Sequence, residues 1–520
     1  MATPRIEKTS IWKNTLAEKT PDDHKAEREK LRNAFRSLRE NTTHLVSRIS
    51  STLPELTQHD ISHLDALWET ASLIVGENFE ISPLEGFVLG CSFLLHDSAL
   101  CFEAFENGKE GLRCTTQWKD AYADLKDNNF LTDDIEIQNQ ADFLALRNLH
   151  AQQAEKLLSH KWKDESTGNE LYLLDDQGLR IHLGMLIGQI ASSHHWNIEA
   201  IISAFNSQKN VPTGYPTEWR IDPVKIACIL RCADAAHLDN ERAPDFLHAL
   251  LKRNGISLKH WIAQNRLAKV DIDQSDLNKT TLLFTSNIDF EEKDSDAWFV
   301  AYDAICLLDK EIKECNALLE RRMNKTFQVT KVKGVESPEA LSSFIKANHW
   351  TPCSAQVYIG NVERVIKNLG GHMLYGEGTD SLGIVLRETI QNARDSINAR
   401  YTFDSSFDGS IVVKLEQDLD STWLIIEDNG IGMSKRVLTG PLLDFGTSFW
   451  TSSLVQNEFP GLRSSRFKSI GKFGIGFYSV FMIAAQVVIV SKSYTDGLSN
   501  AHQLKFNNGF SLRPILTQGA

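Results

Sequence analysis

The chain of 520 residues has no CxxC pair, and its eight cysteines (91, 101, 114, 228, 232, 306, 315 and 353) are scattered. A zinc ribbon is excluded on that spacing. With several of the cysteines inside apolar helical stretches, a disulfide framework is excluded too, and a reducing cytoplasm is the expected setting. The N-terminal MATPRIEKTSIWKN lacks the apolar core of a secretory signal. No apolar run is long enough to span a bilayer: the longest, near Phe477–Val490, is short and broken by Gln486. A membrane role is therefore not expected. Nor is there a basic excess. With 55 Lys and Arg against 68 Asp and Glu, the net charge of −13 argues against a dominant non-specific nucleic-acid surface. Internal repeats and low-complexity tracts are also missing. What is present, 42 % hydrophobic and 24 % charged residues, reads as an ordinary globular composition on a chain too long for one core.

Near the C-terminal end three short segments follow one another: Glu388–Asp395 (ETIQNARD), Asp428–Met433 (DNGIGM) and Gly471–Ser479 (GKFGIGFYS). If LRETIQNARDSINAR is helical, Glu388, Asn392 and Asp395 project from one face. A polar trio followed by two glycine-rich turns suits a nucleotide and its metal. A carboxylate there orients an attacking water, and the amide oxygen of Asn392 ligates a hard cation such as Mg²⁺. The set resembles the GHKL ATPases, with GKFGIGFYSVF closest to the branch of the ninety-kilodalton heat-shock chaperone. The resemblance implies ATP and Mg²⁺ as ligands. It makes Glu388 the general base, Asn392 the Mg²⁺ ligand and Asp428 the acceptor for the adenine amino group. Gly430 and Gly432 would admit the base and Met433 would cover it. Gly471, Gly474 and Gly476 would turn N–H groups to the phosphates before a helix starting near Phe477. Arg463, Arg466, Lys468 and Lys472 form a basic run where a lid is expected. A chaperone-type domain would continue past QVVIVSKSY and QLKFNNGFSL into a further strand. The module is therefore expected to lack its last strand and to turn ATP over slowly in isolation.

Upstream lies a second pattern: His59 and His63 in QHDISHLDALW, His96–Asp97 in LLHDSAL, His150 in RNLHAQQ, His194–His195 in IASSHHW, and Asp234 in LRCADAAHLDNER. Each sits at or near the end of an apolar stretch with helical periodicity. Imidazole and carboxylate suit Mn²⁺, Fe²⁺, Co²⁺ or Zn²⁺. Ligands delivered from several helices would form a rigid one- or two-metal site of the kind that clamps a phosphate during in-line attack. The order resembles the HD-domain phosphohydrolases. That resemblance implies His63, His96, Asp97 and Asp234 as the minimal ligand set, His150 and His194 or His195 as the additions of two-metal members, with Asp97 as the central catalytic carboxylate. HDSAL stands where the cyclic-dinucleotide branch carries GYP. The pairing with a chaperone-like ATPase resembles HD modules predicted as effectors in bacterial conflict systems, which implies antiviral defence. His59, His160, His182, His237, His248 and His260 read individually as structural or surface residues, with His59 set apart because it shares a face with His63.

The expected architecture is multidomain. An all-α HD helical bundle over 1–330 includes a charged N-terminal helix and a small hairpin in VDIDQSDLNKTTLLFTSN. A linker follows over 331–354, and then an α/β GHKL (Bergerat) domain, an α+β sandwich, over 355–520. The expected function is metal-dependent hydrolysis of a phosphate-containing substrate (a nucleotide, cyclic nucleotide or nucleic acid), regulated by ATP, with a homodimer or a partner protein as the further association. The other reading is a chaperone-like ATP-dependent binding protein whose HD region is a degenerate recognition module.

Overall fold

The structure, a computed structural model, describes residues 5–127, 133–164, 166–206, 211–243, 255–354, 381–418, 421–444, 446–465, 467–471, 474, 476–497, 500–507 and 514–519. Arg466, Lys472 and His248 lie outside these residues. The chain forms two compact units, one of residues 1–113 and 142–355, the other of 114–141 and 356–520.

The first unit is a helical bundle. Its elements are α1 (Ser10–Thr15), α2 (Lys25–Val46), α3 (Ile49–Thr52), α4 (Ile61–Val75), α5 (Pro83–Leu95) and α6 (Gly108–Cys114). The insertion that belongs to the second unit carries α7 (Thr116–Asp127) and the start of α8 (Asp134–Ala154). The bundle continues with α9 (Gln177–Ser192), α10 (Ile198–Ala204), α11 (Pro223–Ala236), α12 (Gly255–Arg266), the long α13 (Ser295–Met323) and α14 (Pro338–Leu341). Local chemistry sets the starts. Ser82 and Glu85 close a capping box on α5 with Pro83 in the first turn, Asp60 caps α4, and Asp222 caps α11. Every residue of α5 is buried, as its nearly uninterrupted apolar sequence requires of a central helix. It packs against α2, α4, α9 and α11, and Trp12, Phe35 and Trp68 interlock beside it with ring centroids 5.5–5.6 Å apart.

Short strands decorate the bundle. β1 (Trp162–Lys163) pairs with β2 (Glu170–Leu171). β3 (Asp271–Ile272) and β4 (Thr281–Leu283) form the expected hairpin, and β5 (Lys331–Val332) adds to β4 in parallel.

The second unit is mixed α/β. It holds α15 (Ser381–Phe403), an antiparallel pair β6 (Ile411–Gln417) and β7 (Thr422–Asp428), α16 (Lys435–Thr439) and α17 (Ser453–Glu458). An antiparallel sheet of β8 (Val487–Ser491), β9 (His502–Phe506) and β10 (Ile515–Gln518) completes it. Ala399, Ile431, Val455, Phe459 and Leu462 form a small core lined by Phe449, Trp450, Phe467 and Tyr494. The architecture is a helical region followed by a mixed α/β region, the two classes expected. Among the described residues no helix is long and apolar enough to cross a membrane.

Candidate metal centre and nucleotide site

The helix ends of the bundle deliver the predicted ligands to one place. His63 stands in the first turn of α4, and His96 closes α5 with Asp97 next to it. His150 lies one turn before the end of α8, His194 lies in the 3₁₀ turn after α9, and Asp234 is in the last turn of α11. His63, His96, Asp97 and Asp234 bring one donor atom each within 4.8 Å of one another, and so do His150, His194 and His195. Asp97 joins the two sets. Its Oδ2 is 3.3 Å from His96 Nε2 and 3.6 Å from His63 Nε2, while its Oδ1 is 3.5 Å from His150 Nε2 and 3.9 Å from His194 Nε2. Asp234 Oδ1 lies 3.5 Å from His96 and 3.7 Å from His63.

The imidazoles are oriented by one device. Nδ1 of His96 meets the carbonyl of Phe93 at 2.9 Å, that of His150 the carbonyl of Arg147 at 2.7 Å, and that of His194 the carbonyl of Ala191 at 2.6 Å. A carbonyl only accepts, so each Nδ1 carries a proton and each Nε2 is the nitrogen turned toward Asp97. His63 is held by a longer relay. Its Nδ1 is 2.7 Å from Nδ1 of His237, the two rings stack, and His237 Nε2 faces Asp239 Oδ1 at 3.6 Å. Proton on His237 Nε2, lone pair on its Nδ1 and proton on His63 Nδ1 is the assignment that leaves His63 Nε2 free to ligate. Carboxylate–histidine partners behind a ligand commonly fix its tautomer in this way.

The donor set fits a cation. Nε2 of His63 and of His96 are buried without a hydrogen-bond partner. Nε2 of His150 and His194 face each other at 3.3 Å, and two lone pairs at that distance need a cation between or beside them. Donors about 2.0–2.2 Å from one ion stand roughly 3–3.5 Å apart, close to the separations around Asp97. The electrostatics agree. Burial lowers the pKa of His63 to about 4 and holds that of His194 well below its usual value. His96 is the exception: burial opposes its charge, yet Asp97 and Asp234 outweigh it and raise its pKa to about 10. Asp97 stays well below the carboxylate range, despite its burial, because His96 faces it. A proton on His96 thus balances the carboxylates where a metal would otherwise do so.

Two residues of this neighbourhood, His237 and Arg242, escape a reading by spacing, and His59, set apart in the sequence by its nearness to His63, joins them. His59 precedes the Asp60 cap yet keeps its ring 5.7 Å from that of His63, and its Nε2 is 3.7 Å from Asp97. His237 is the stacked relay just described. Arg242 donates to His59 Nε2 at 2.7 Å. Their signal was the contiguity of HLDNER with Asp234 and the nearness of His59 to His63 in sequence.

In the second unit α15 carries Glu388, Asn392 and Asp395, as predicted. Asn392 is exposed, Glu388 half-buried and Asp395 fully buried. Asp395 Oδ2 accepts the N–H groups of Ile470 (2.8 Å) and Gly471 (2.9 Å), so this carboxylate ties the glycine segment to the helix. A Cβ added at Gly471 would lie 3.4 Å from Asn392 Oδ1, and one at Gly476 would collide with the Glu388 carboxylate. Gly474 folds onto the backbone of Thr447. Asp428 ends β7 and its Oδ1 accepts the Gly430 N–H at 2.9 Å, tightening the DNGIGM turn. Gly432 has φ +69° and would meet the Lys492 carbonyl with any side chain. Met433 N–H donates to Ser491 Oγ at 3.0 Å. Phe477 opens a 3₁₀ turn (Gly476–Met482) and packs near Phe481 and Phe506. The three segments therefore converge around the α15 face. Of the basic run, Arg463 pairs with Asp124 of α7 at 3.1 Å.

A buried His/Asp cluster at the ends of bundled helices, followed by an α/β unit with helix-borne Glu and Asn beside glycine turns, defines an HD-type protein coupled in sequence to a GHKL-type ATPase domain. Comparison with known families agrees. The HD-CE family model matches residues 53–314, half of the chain. The family of histidine kinase-, DNA gyrase B- and HSP90-like ATPases matches residues 381–511. The chain belongs to the HD-CE family and carries an HSP90-like ATPase domain after its HD domain. Curated relatives match the ATPase portion at a distance. Chaperone protein HtpG of Chlorobaculum tepidum is 34 % identical over 158 residues, 28 % of this chain and 24 % of that protein. HtpG of Anaplasma marginale is 36 % identical over 140 residues, 25 % and 21 % of the two chains. Heat shock protein 90-5, chloroplastic, of Arabidopsis thaliana is 32 % identical over 146 residues, 26 % and 18 %. The chain thus spans a quarter or less of the length of these relatives.

Proposed function

We propose that this protein is a metal-dependent phosphohydrolase whose HD domain acts on a nucleotide, cyclic nucleotide or nucleic acid, and whose ATPase domain regulates it. The observation that carries the reading is Asp97, with one carboxylate oxygen facing His63 and His96 and the other facing His150 and His194. His63, His96, Asp97 and Asp234 would hold one ion, and His150 and His194, with Asp97 as bridge, a second. Mn²⁺, Fe²⁺, Co²⁺ or Zn²⁺ suits these donors. When bound, such ions polarise a phosphoryl group and activate water at neutral pH. The protein's part is orientation: backbone carbonyls and the His237–Asp239 relay keep every Nε2 aimed inward.

In the ATPase domain, Asp428 would receive the adenine amino group, Gly430, Gly432 and Met433 would border the base, and Asn392 would ligate Mg²⁺. Glu388 would act as general base, and Gly471, Gly474, Gly476 and Phe477 would surround the phosphates. Asp395 would contribute by holding the Gly471 turn. Regulation is supported by connectivity. Residues 114–141 separate Asp97 from His150 in sequence, yet belong to the compact unit of the ATPase domain. Within that unit Asp120 accepts the N–H groups of Gly461 (2.7 Å) and Ser464 (2.8 Å), and Asp124 takes Arg463. The lid segment is thereby tied to the insertion that leads into α8 and His150. A ligand that orders the lid has a route to bias the metal-bearing helix.

The test is a hydrolysis screen with Mn²⁺ across dNTPs, cyclic dinucleotides and single- and double-stranded nucleic acid, each with and without a non-hydrolysable ATP analogue. Hydrolysis of one class, changed by the analogue, is expected. No hydrolysis of any class would refute the reading, and rates indifferent to the analogue would refute regulation. A role in antiviral defence is the physiological setting we assign, and protection of cells from phage by the wild type but not by Asp97→Ala is its test.

A further inference from the structure

Four basic side chains are buried among the described residues: Arg28, Lys225, Arg231 and Arg242. Three of them have a carboxylate at ion-pair distance. Arg28 takes Asp22 at 2.7 Å, Lys225 takes Glu85 at 2.6 Å and Arg231 takes Glu311 at 2.7 Å. Arg242, 8 % exposed, has none among the described residues. Its Nη2 donates to His59 Nε2 at 2.7 Å, its Nη1 reaches the His237 carbonyl at 3.4 Å, and its Nε has no partner. A guanidinium carries a fixed positive charge. Burying an unpaired ion costs several kcal/mol, and that cost calls for an anion.

The position of the charge says which anion. His59 Nδ1 meets the Thr57 carbonyl at 2.6 Å, so its proton is there and its Nε2 lone pair is spent on Arg242. His59 is therefore a bracket for the guanidinium, and the same Nε2 is 3.7 Å from Asp97 Oδ2. The Gln58 N–H donates to the Arg242 carbonyl at 2.8 Å, pinning the backbone as well. Asp97 is the carboxylate of the centre that this His59 nitrogen also approaches, and a metal ion would claim it. Once it was claimed, the guanidinium on the far side of His59 would be left with its charge unmatched.

We propose that Arg242, held by His59, is an oxyanion-binding residue of the HD centre that takes a non-bridging oxygen of the substrate's phosphoryl group. The inference rests on the phosphohydrolase reading and adds to it a residue outside the metal-ligand set. A planar fork of donors matches phosphate, and a charge-assisted bond of this kind is among the stronger ones. Specificity follows: the site would favour phosphoanhydrides and phosphoesters with an accessible non-bridging oxygen over neutral esters.

The test is calorimetric titration of phenylphosphonate, a non-hydrolysable phosphate mimic, into the nucleotide-free full-length protein loaded with Mn²⁺. Wild type, Arg242→Gln, Arg242→Lys and Asp97→Ala are compared, with metal content and ATP binding measured on each. We expect the wild type to bind, Arg242→Gln to bind about 10- to 100-fold more weakly at unchanged metal content, and Arg242→Lys to recover part of the loss. Equal affinity of Arg242→Gln and wild type would overturn the proposal, and so would no binding by the wild type. Loss of metal from Arg242→Gln would also overturn it, making Arg242 a support for the ligands instead. Arg242-dependent binding by a protein that hydrolyses nothing would sustain this inference while removing the hydrolase reading.

Discussion

The two sites are built in opposite ways. The proposed metal centre is made of side chains at the ends of buried helices. His63, His96, Asp97 and His150 are almost inaccessible, and each imidazole is locked at Nδ1 before any ion arrives. The proposed nucleotide site is half open. Asn392 is exposed and Glu388 is half-buried, and the glycine turns reach α15 through backbone hydrogen bonds to one buried carboxylate, Asp395. Ligands of a resident ion must be deprotonated and aimed, and a buried, pre-oriented shell does this. A nucleotide that comes and goes needs an approachable rim and a segment that can close over it. The contrast suits a division of labour in which the chemistry sits in the rigid region and the sensing in the open one.

The sharpest way to break that division is Asp97→Ala. It removes the carboxylate that, among the described residues, faces both imidazole sets, and an imidazole supplies no anionic bridge. Hydrolysis is expected to vanish and metal content to fall, with ATP affinity unchanged. Measurable activity at full metal content would contradict the centre, and lost ATP binding would contradict the separation. The reciprocal change, Asp428→Asn, should weaken ATP binding about 10- to 100-fold, because an amide is no longer a pure acceptor toward the adenine amino group. Metal content should stay as in wild type. Unchanged ATP affinity would take Asp428 out of the site.

A smaller effect probes the relay. His237→Phe keeps ring volume but leaves His63 Nδ1–H without its acceptor. Loss of such an outer partner commonly costs about 10- to 100-fold in metal affinity. Competition with a chromogenic chelator measures it, and wild-type affinity would show that the stacked pair is only packing.

The last effect is a proton. Without metal, Asp97 and Asp234 keep His96 charged up to about pH 10. An ion needs the lone pair of its Nε2, so binding near pH 7 should expel about one proton from this residue. Apparent affinity should therefore rise with pH across the neutral range and fall in acid. Calorimetry in buffers of different ionisation enthalpy reads the proton count, and zero release would mean His96 is not a ligand.

Much of this was legible in the sequence, for a physical reason. Ligands at helix ends interrupt an apolar period, so LLHDSAL and LRCADAAHLDNER stand out as polar stops on buried helices, and glycine turns beside a polar helix face are equally conspicuous. The hairpin at β3 and β4 was readable from alternation. What spacing does not carry is the second layer. His237 works by accepting the Nδ1 proton of a residue 174 positions away, and His59 works by holding an arginine. Asp395 shares a helical face with Glu388 and Asn392, yet its carboxylate is spent on the N–H groups of Ile470 and Gly471. Such roles depend on which nitrogen or oxygen is already occupied, and only coordinates give that.

The central claim is that the buried cluster around Asp97 is a metal centre of the intact protein. Elemental analysis of full-length protein purified without chelator tests it most directly, with Asp97→Ala prepared in parallel. The account predicts about one to two transition-metal ions per wild-type chain and a clear loss in the variant. A wild type that is metal-free and stays so after incubation with Mn²⁺, Fe²⁺, Co²⁺ or Zn²⁺ would contradict it.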